Sequence, residues 1–183
     1  MKSNKTIFWV TMLILIAVVS RFFMFIPNFQ PIIGISLLGA AYLQRKYWVF
    51  LVPIAAFWLS DVVLNNTVYA AYFPEFSLIS YNFIFAALAM ILVVLIGKVM
   101  LKNKRWSNIW ASAIVGGLLF FVVSNLGVWL FSGMYPPNGA GLVACYVAGI
   151  PFLQNALLGD LFYTTFLFGA MQLVSSQQFS WSK

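Results

Sequence analysis

The stretch SRFFMFIPNFQPIIGISLLGAAYL, residues 20–43, is apolar along most of its length yet holds Arg21, Asn28, Pro27 and Pro31. A helix needs about 20 mainly apolar residues to cross the hydrocarbon core. Two prolines four residues apart bar a continuous helix through the stretch. It therefore ends one apolar segment and begins a second, 31–44, whose start is set by IPNFQP. That second segment is short, and reads as tilted or only partly spanning.

Composition explains why such a stretch belongs in lipid. The 183 residues are 63% hydrophobic and 7% charged, with a mean hydropathy of +0.98. A soluble domain carries roughly 25% charged residues, so a water-exposed globular surface cannot be built from this chain. The expected fold class is all-α: a polytopic membrane protein of six transmembrane helices, at about 6–26, 31–44, 47–64, 78–98, 108–131 and 151–174. Short breaks separate the apolar runs, so 1–183 reads as a single transmembrane domain. The basic, apolar N-terminus has no A-x-A-like cleavage site after it and reads as a retained first helix. Pro53 is expected to kink the third span. Segment 142–150, LVACYVAGI, is too short to cross and reads as a short or re-entrant helix.

Charge placement gives an orientation. The net charge is +7 from 10 basic and 3 acidic residues. Lys2, Lys5, Arg45, Lys46, Lys98, Lys102, Lys104, Arg105 and Lys183 all fall on one side of a six-span arrangement. The positive-inside rule makes that side the cytoplasm, with both termini inside and loops 65–77 and 132–150 outside. The basic excess is thus a topology signal, and no nucleic-acid partner is expected. There is one cysteine, Cys145, and no histidine. An intrachain disulfide is impossible, the commonest metal ligand and general base is missing, and neither a metal site nor a cofactor is expected.

The tenth basic residue lies elsewhere. At a helical rise of about 1.5 Å per residue, Arg21 and Asp61 share the outer third, and Asp160 lies near the middle of the sixth span. A charge in hydrocarbon is expensive unless paired or wetted, so Arg21 is the expected partner of Asp61, of Asp160, or of both. The neutral polar residues show the same bias: Asn28, Tyr81, Asn82, Asn125, Trp129 and Asn155 all fall in outer halves. Together with Arg21, Asp61 and Asp160 they form the candidate substrate-binding set, a pocket open outward and closed below by apolar packing. A pore would carry polar residues along its whole length.

Each signal has a plainer reading. Interhelical amides and buried ion pairs also hold helices together. The spacings Ser36/Ala40, Ser112/Gly116 and Ala113/Gly117 are common packing devices. Trp48, Trp58, Trp106, Trp110 and Trp181 suit the membrane interfaces, while Tyr69, Tyr72, Phe73, Tyr135 and Tyr146 could lid a flat ligand. Cys145 is a small hydrophobe or, alternatively, a soft ligand to a metal such as cobalt in a corrinoid.

With SRFFMFIPNFQPIIGISLLGAAYL, WVFLVPIAAFWLSDVVL, VSNLGVWL and MYPPNGAGLVACYVAGIPFLQNALLGDLFYTTFLFG, the chain resembles an uncharacterised bacterial membrane-protein family over about residues 15–170. That family looks related to the substrate-binding S components of energy-coupling factor (ECF) vitamin transporters. The shared features are the Arg–Pro–Asn–Pro start of span two, an Asp ending span three and a Gly-Asp in span six. The relationship would imply a six-helix fold in the bacterial inner membrane that binds a vitamin or related micronutrient from outside. It would then topple against an energising module, a membrane subunit with ATPases. S components usually dock through AxxxA spacing in span one; here TIFWVTMLILIAVVSRFF offers Ala17 alone.

No enzyme is expected. An intramembrane aspartyl protease needs Gly-x-Gly-Asp, where this chain has Leu157-Leu158-Gly159-Asp160, and its dyad must share a proton, which Arg21 would oppose. A rhomboid-type serine protease lacks its His. The rival functions are a proton-coupled small-molecule carrier using Asp160 and a structural or assembly role without ligand.

Overall fold

The computed structural model describes residues 2–23, 26–44, 46–72 and 75–180. Arg45, Phe73, Trp181 and Lys183, invoked above, lie outside the described residues, as do the side chains of Lys2 and Tyr72. The described residues form six α-helices and no strand: α1 (Lys2–Ser20), α2 (Ile32–Tyr42), α3 (Trp48–Asn66), α4 (Tyr81–Met100), α5 (Trp106–Phe131) and α6 (Gly139–Ser180), with a 3-10 turn at Ala70–Tyr72.

Four of these, α3 to α6, are long and apolar enough to cross a membrane. The described apolar part of α1, Asn4–Ser20, and the whole of α2 fall short. The expected six spans therefore become four helices that can cross by length and composition. Large apolar side chains such as Phe8, Ile16, Leu51, Leu59, Ile84 and Phe166 are exposed around the bundle. That outer surface suits lipid better than water.

Helix ends follow local chemistry. The first span was expected to reach 26, but α1 stops at Ser20. The chain tightens there into i→i−3 bonds from Arg21, Phe22 and Phe23 to Val18, Val19 and Ser20. Pro27 disfavours helical backbone at the residue before it, and Asn28 adopts φ 61°, the left-handed region that asparagine tolerates. α2 then begins behind Pro31, whose carbonyl accepts the Ile35 amide at 2.9 Å. Ser80 caps α4 by accepting the Phe83 amide at 3.1 Å, which moves its start from the expected 78 to Tyr81.

α2 is the centre of the bundle. Its 11 residues rise about 16 Å, roughly half the hydrocarbon thickness. Ile32 through Gly39 are all buried, and α2 packs against each of the other five helices. A helix apolar on all sides is stable only when so enclosed. Small residues allow the approach. A Cβ on Gly34 would come within 3.1 Å of Leu167 and 3.2 Å of the α6 backbone, and Gly97 of α4 faces Leu37 and Ala40. Near the far end of α2, Lys104 lies 5.2 Å from the Tyr42 ring, and Lys98 lies 5.4 Å from that of Phe50 in α3.

The largest correction concerns α6. The expected re-entrant helix 142–150 and the span 151–174 are one helix of 42 residues, rising about 63 Å. Pro151 lies inside it and forfeits one backbone bond. The preceding turns are nevertheless held along α5. The Tyr146 hydroxyl donates to the Val122 carbonyl at 2.7 Å, and Cys145 Sγ donates to that of Asn125 at 3.4 Å. Asn138 starts α6 by accepting the Gly141 amide at 2.9 Å. With these anchors in the turns before the proline, the helix runs through it.

Candidate functional site

Because α2 fills only half the height of the bundle, its missing half is space. A cavity of about 790 Å³ opens above Ile32 and Ile33, at the end away from Lys98 and Lys104. α3, α4, α5 and α6 each contribute residues to its wall. α3 gives Phe57, Asp61 and Asn65; α5 gives Gly117, Phe120, Phe121, Ser124 and Asn125. α6 gives Cys145, Gly149, Phe152, Ala156 and Asp160, with Tyr81, Asn82 and Ala86 from α4 completing the wall. Spacings of three and four residues put the α3, α5 and α6 sets each on one helical face. Beneath the cavity, Leu37, Leu38, Val94, Leu167 and Phe168 form closed apolar core.

The ion pair is made with Asp61 and not with Asp160. Arg21 Nη2 donates to Asp61 Oδ1 at 3.4 Å, and the two side chains are 6% and 16% exposed. Arg21 Nη1 donates to Ser60 Oγ and, at 3.5 Å, to the Phe57 carbonyl. The guanidinium carbon lies 4.3 Å from the centre of the Phe57 ring. Asn65 Nδ2 donates to Asp61 Oδ2 at 3.2 Å, so both carboxylate oxygens are engaged. One turn of the chain after α1 is thereby tied to the last turns of α3.

Asp160 stands in the opposite situation. It is 6% exposed, it lines the cavity, and it has no hydrogen-bond or ion-pair partner among the described residues. Its carboxylate lies against Gly117, where any Cβ would overlap Oδ2. The neighbouring Gly159 admits the backbone of Phe29 and Gln30, so the chain leading into α2 packs beside Asp160. The start of α2 can offer it partial positive charge, at most about half an elementary charge.

Of the candidate residues, Arg21, Asn28, Asp61, Tyr81, Asn82, Asn125 and Asp160 line this one cavity. Trp129 and Asn155 do not. The Trp129 indole donates to the Pro136 carbonyl at 3.0 Å and so braces the loop before α6. Asn155 lies beside the stripe that includes Phe152, Ala156 and Asp160, turned off its face by one residue. Asn28 also has a backbone role, at its positive φ. Asn125 donates to the Phe121 carbonyl at 2.8 Å, and its Oδ1 occupies the space that a Gly149 side chain would need.

Sequence reasoning passed over Ser60, Asn65 and Gly149, and read Gly117 only as a helix-packing residue. Asn65 had a usable signal: Phe57, Asp61 and Asn65 recur every four residues along α3. Tyr69 and Tyr135 line the cavity as expected of lid aromatics, while Tyr146 bonds to α5 outside it. Cys145 is buried and unbridged. Among the described residues no group of three or more Cys, Asp or Glu could hold a metal ion.

The chain matches, over residues 1–181, a family model described as a family of unknown function, DUF6580, and it belongs to that family. No curated protein matches it, and no solved structure does.

Proposed function

We propose that this DUF6580 member is a substrate-binding membrane protein for small-molecule uptake, holding its ligand in the cavity above α2. The observation that carries the reading is a half-length central helix, buried from Ile32 through Gly39, whose first turn floors a cavity lined by Arg21, Asp61 and Asp160. Ligand sites are typically concave, mostly apolar spaces of about 300–1,000 Å³ with a few placed polar groups. Half-helices whose N-termini face a mid-membrane site recur in transporters. Lys98 and Lys104 lie at the opposite end, which favours a cytoplasmic face there, both termini inside, and a pocket opening outward.

The finer reading is an S-component-like role in vitamin or micronutrient uptake across the bacterial inner membrane, with an energising module as partner. Ala17 is buried within the bundle, so a docking face for such a module would have to use other residues. The test is mass spectrometry of small molecules retained by the detergent-extracted protein, followed by uptake of the identified compound into cells. A preparation that repeatedly holds no small molecule would refute binding.

One observation favours a second reading, a proton-coupled carrier. Asp160 is buried and lacks a partner among the described residues, and ionisable residues of that kind mark proton relays in membrane proteins. Uptake that collapses when the proton gradient is removed would select it.

A further inference from the structure

We infer that the molecule held in this cavity carries a positive charge, as a protonated amine, an amidine or a protonated nitrogen heterocycle, which pairs with the carboxylate of Asp160. The inference rests on the proposed binding role and adds the chemical class of the ligand.

Among the described residues, three side chains that are charged in water line the cavity: Arg21, Asp61 and Asp160. The first two neutralise each other, and Asp61 has its second oxygen taken by Asn65. One carboxylate remains, almost wholly out of solvent and facing open space. A carboxylate so placed is costly unless it takes up a proton or a counter-charge arrives. The start of α2 offsets only part of that cost, and among the described residues no Lys or second Arg lines the cavity. Gly117 removes the side chain that would displace the carboxylate, so the space around Oδ2 is built to keep it there. An N–H-bearing cation supplies both the missing charge and a charge-assisted hydrogen bond. The aromatic walls, Phe57, Phe120, Phe121 and Phe152 among them, suit a flat cationic ring.

The test uses three probes of nearly one shape and different charge: benzamidine, benzamide and benzoate. Thermal unfolding of the detergent-solubilised full chain is followed with each at increasing concentration, for the wild type and for Asp160→Asn. Benzamidine should stabilise the wild type most, and Asp160→Asn should weaken benzamidine about thirtyfold or more while leaving benzamide unchanged. The wild-type ranking alone decides the matter if the variant does not fold. Benzamide or benzoate matching benzamidine overturns the inference, as does the absence of any response. In either case a small molecule still retained by the purified protein keeps the binding role standing, and its absence removes both.

Discussion

Gly117 of α5 and Asp160 of α6 share one space: the carboxylate sits where a side chain on residue 117 would begin. A close approach of these two helices thus coincides with a buried acidic group that lacks a partner among the described residues. Gly117→Ala should force Asp160 or the helix pair to move, costing about 1–3 kcal/mol. Thermal unfolding in detergent reads that loss, and an unchanged midpoint would place the carboxylate elsewhere.

Asp160→Asn should have the opposite effect on the ligand-free protein. Replacing a buried, uncompensated carboxylate by a neutral amide of the same shape removes a desolvation cost, so the empty protein should melt at a higher temperature. Groups kept for function commonly cost stability in this way. A lower melting temperature would show that Asp160 holds the fold together instead.

The Arg21–Asp61 pair should behave as a coupled unit. Arg21→Ala and Asp61→Ala should each destabilise, because each leaves a partner buried. A double-mutant cycle should return a coupling of about 0.5–3 kcal/mol, and the charge-swapped pair should partly recover. Simple additivity would mean that the 3.4 Å contact contributes nothing.

Continuity of α6 through Pro151 can be measured directly. Spin labels at the exposed positions Val143 and Leu158, in a Cys145→Ala background, should be separated by about 22 Å along the axis. A segment that folded back at the proline would bring them much closer.

Topology needs its own test. Cysteines introduced at Val68 and Lys102, again without Cys145, should react with an impermeant reagent from outside at 68 and only after permeabilisation at 102. The reverse pattern would turn the cavity toward the cytoplasm.

The membrane character, the all-helical class and the approximate place of each helix were readable in the sequence, because hydrophobicity adds up along the chain and proline acts on its immediate neighbours. The same local signals misjudged α6, since Pro151 looks like a break until the bonds from Tyr146 and Cys145 to α5 are seen. Which carboxylate Arg21 would choose could not be read in one dimension. Depth estimates put Asp61 and Asp160 within reach of it, and only the rotation of α3 and α6 about their axes directs one toward the guanidinium and leaves the other facing empty space. The cavity itself is likewise tertiary. It exists because a half-length α2 is enclosed by longer helices at the closeness that glycines allow, and no segment of the chain encodes that void on its own.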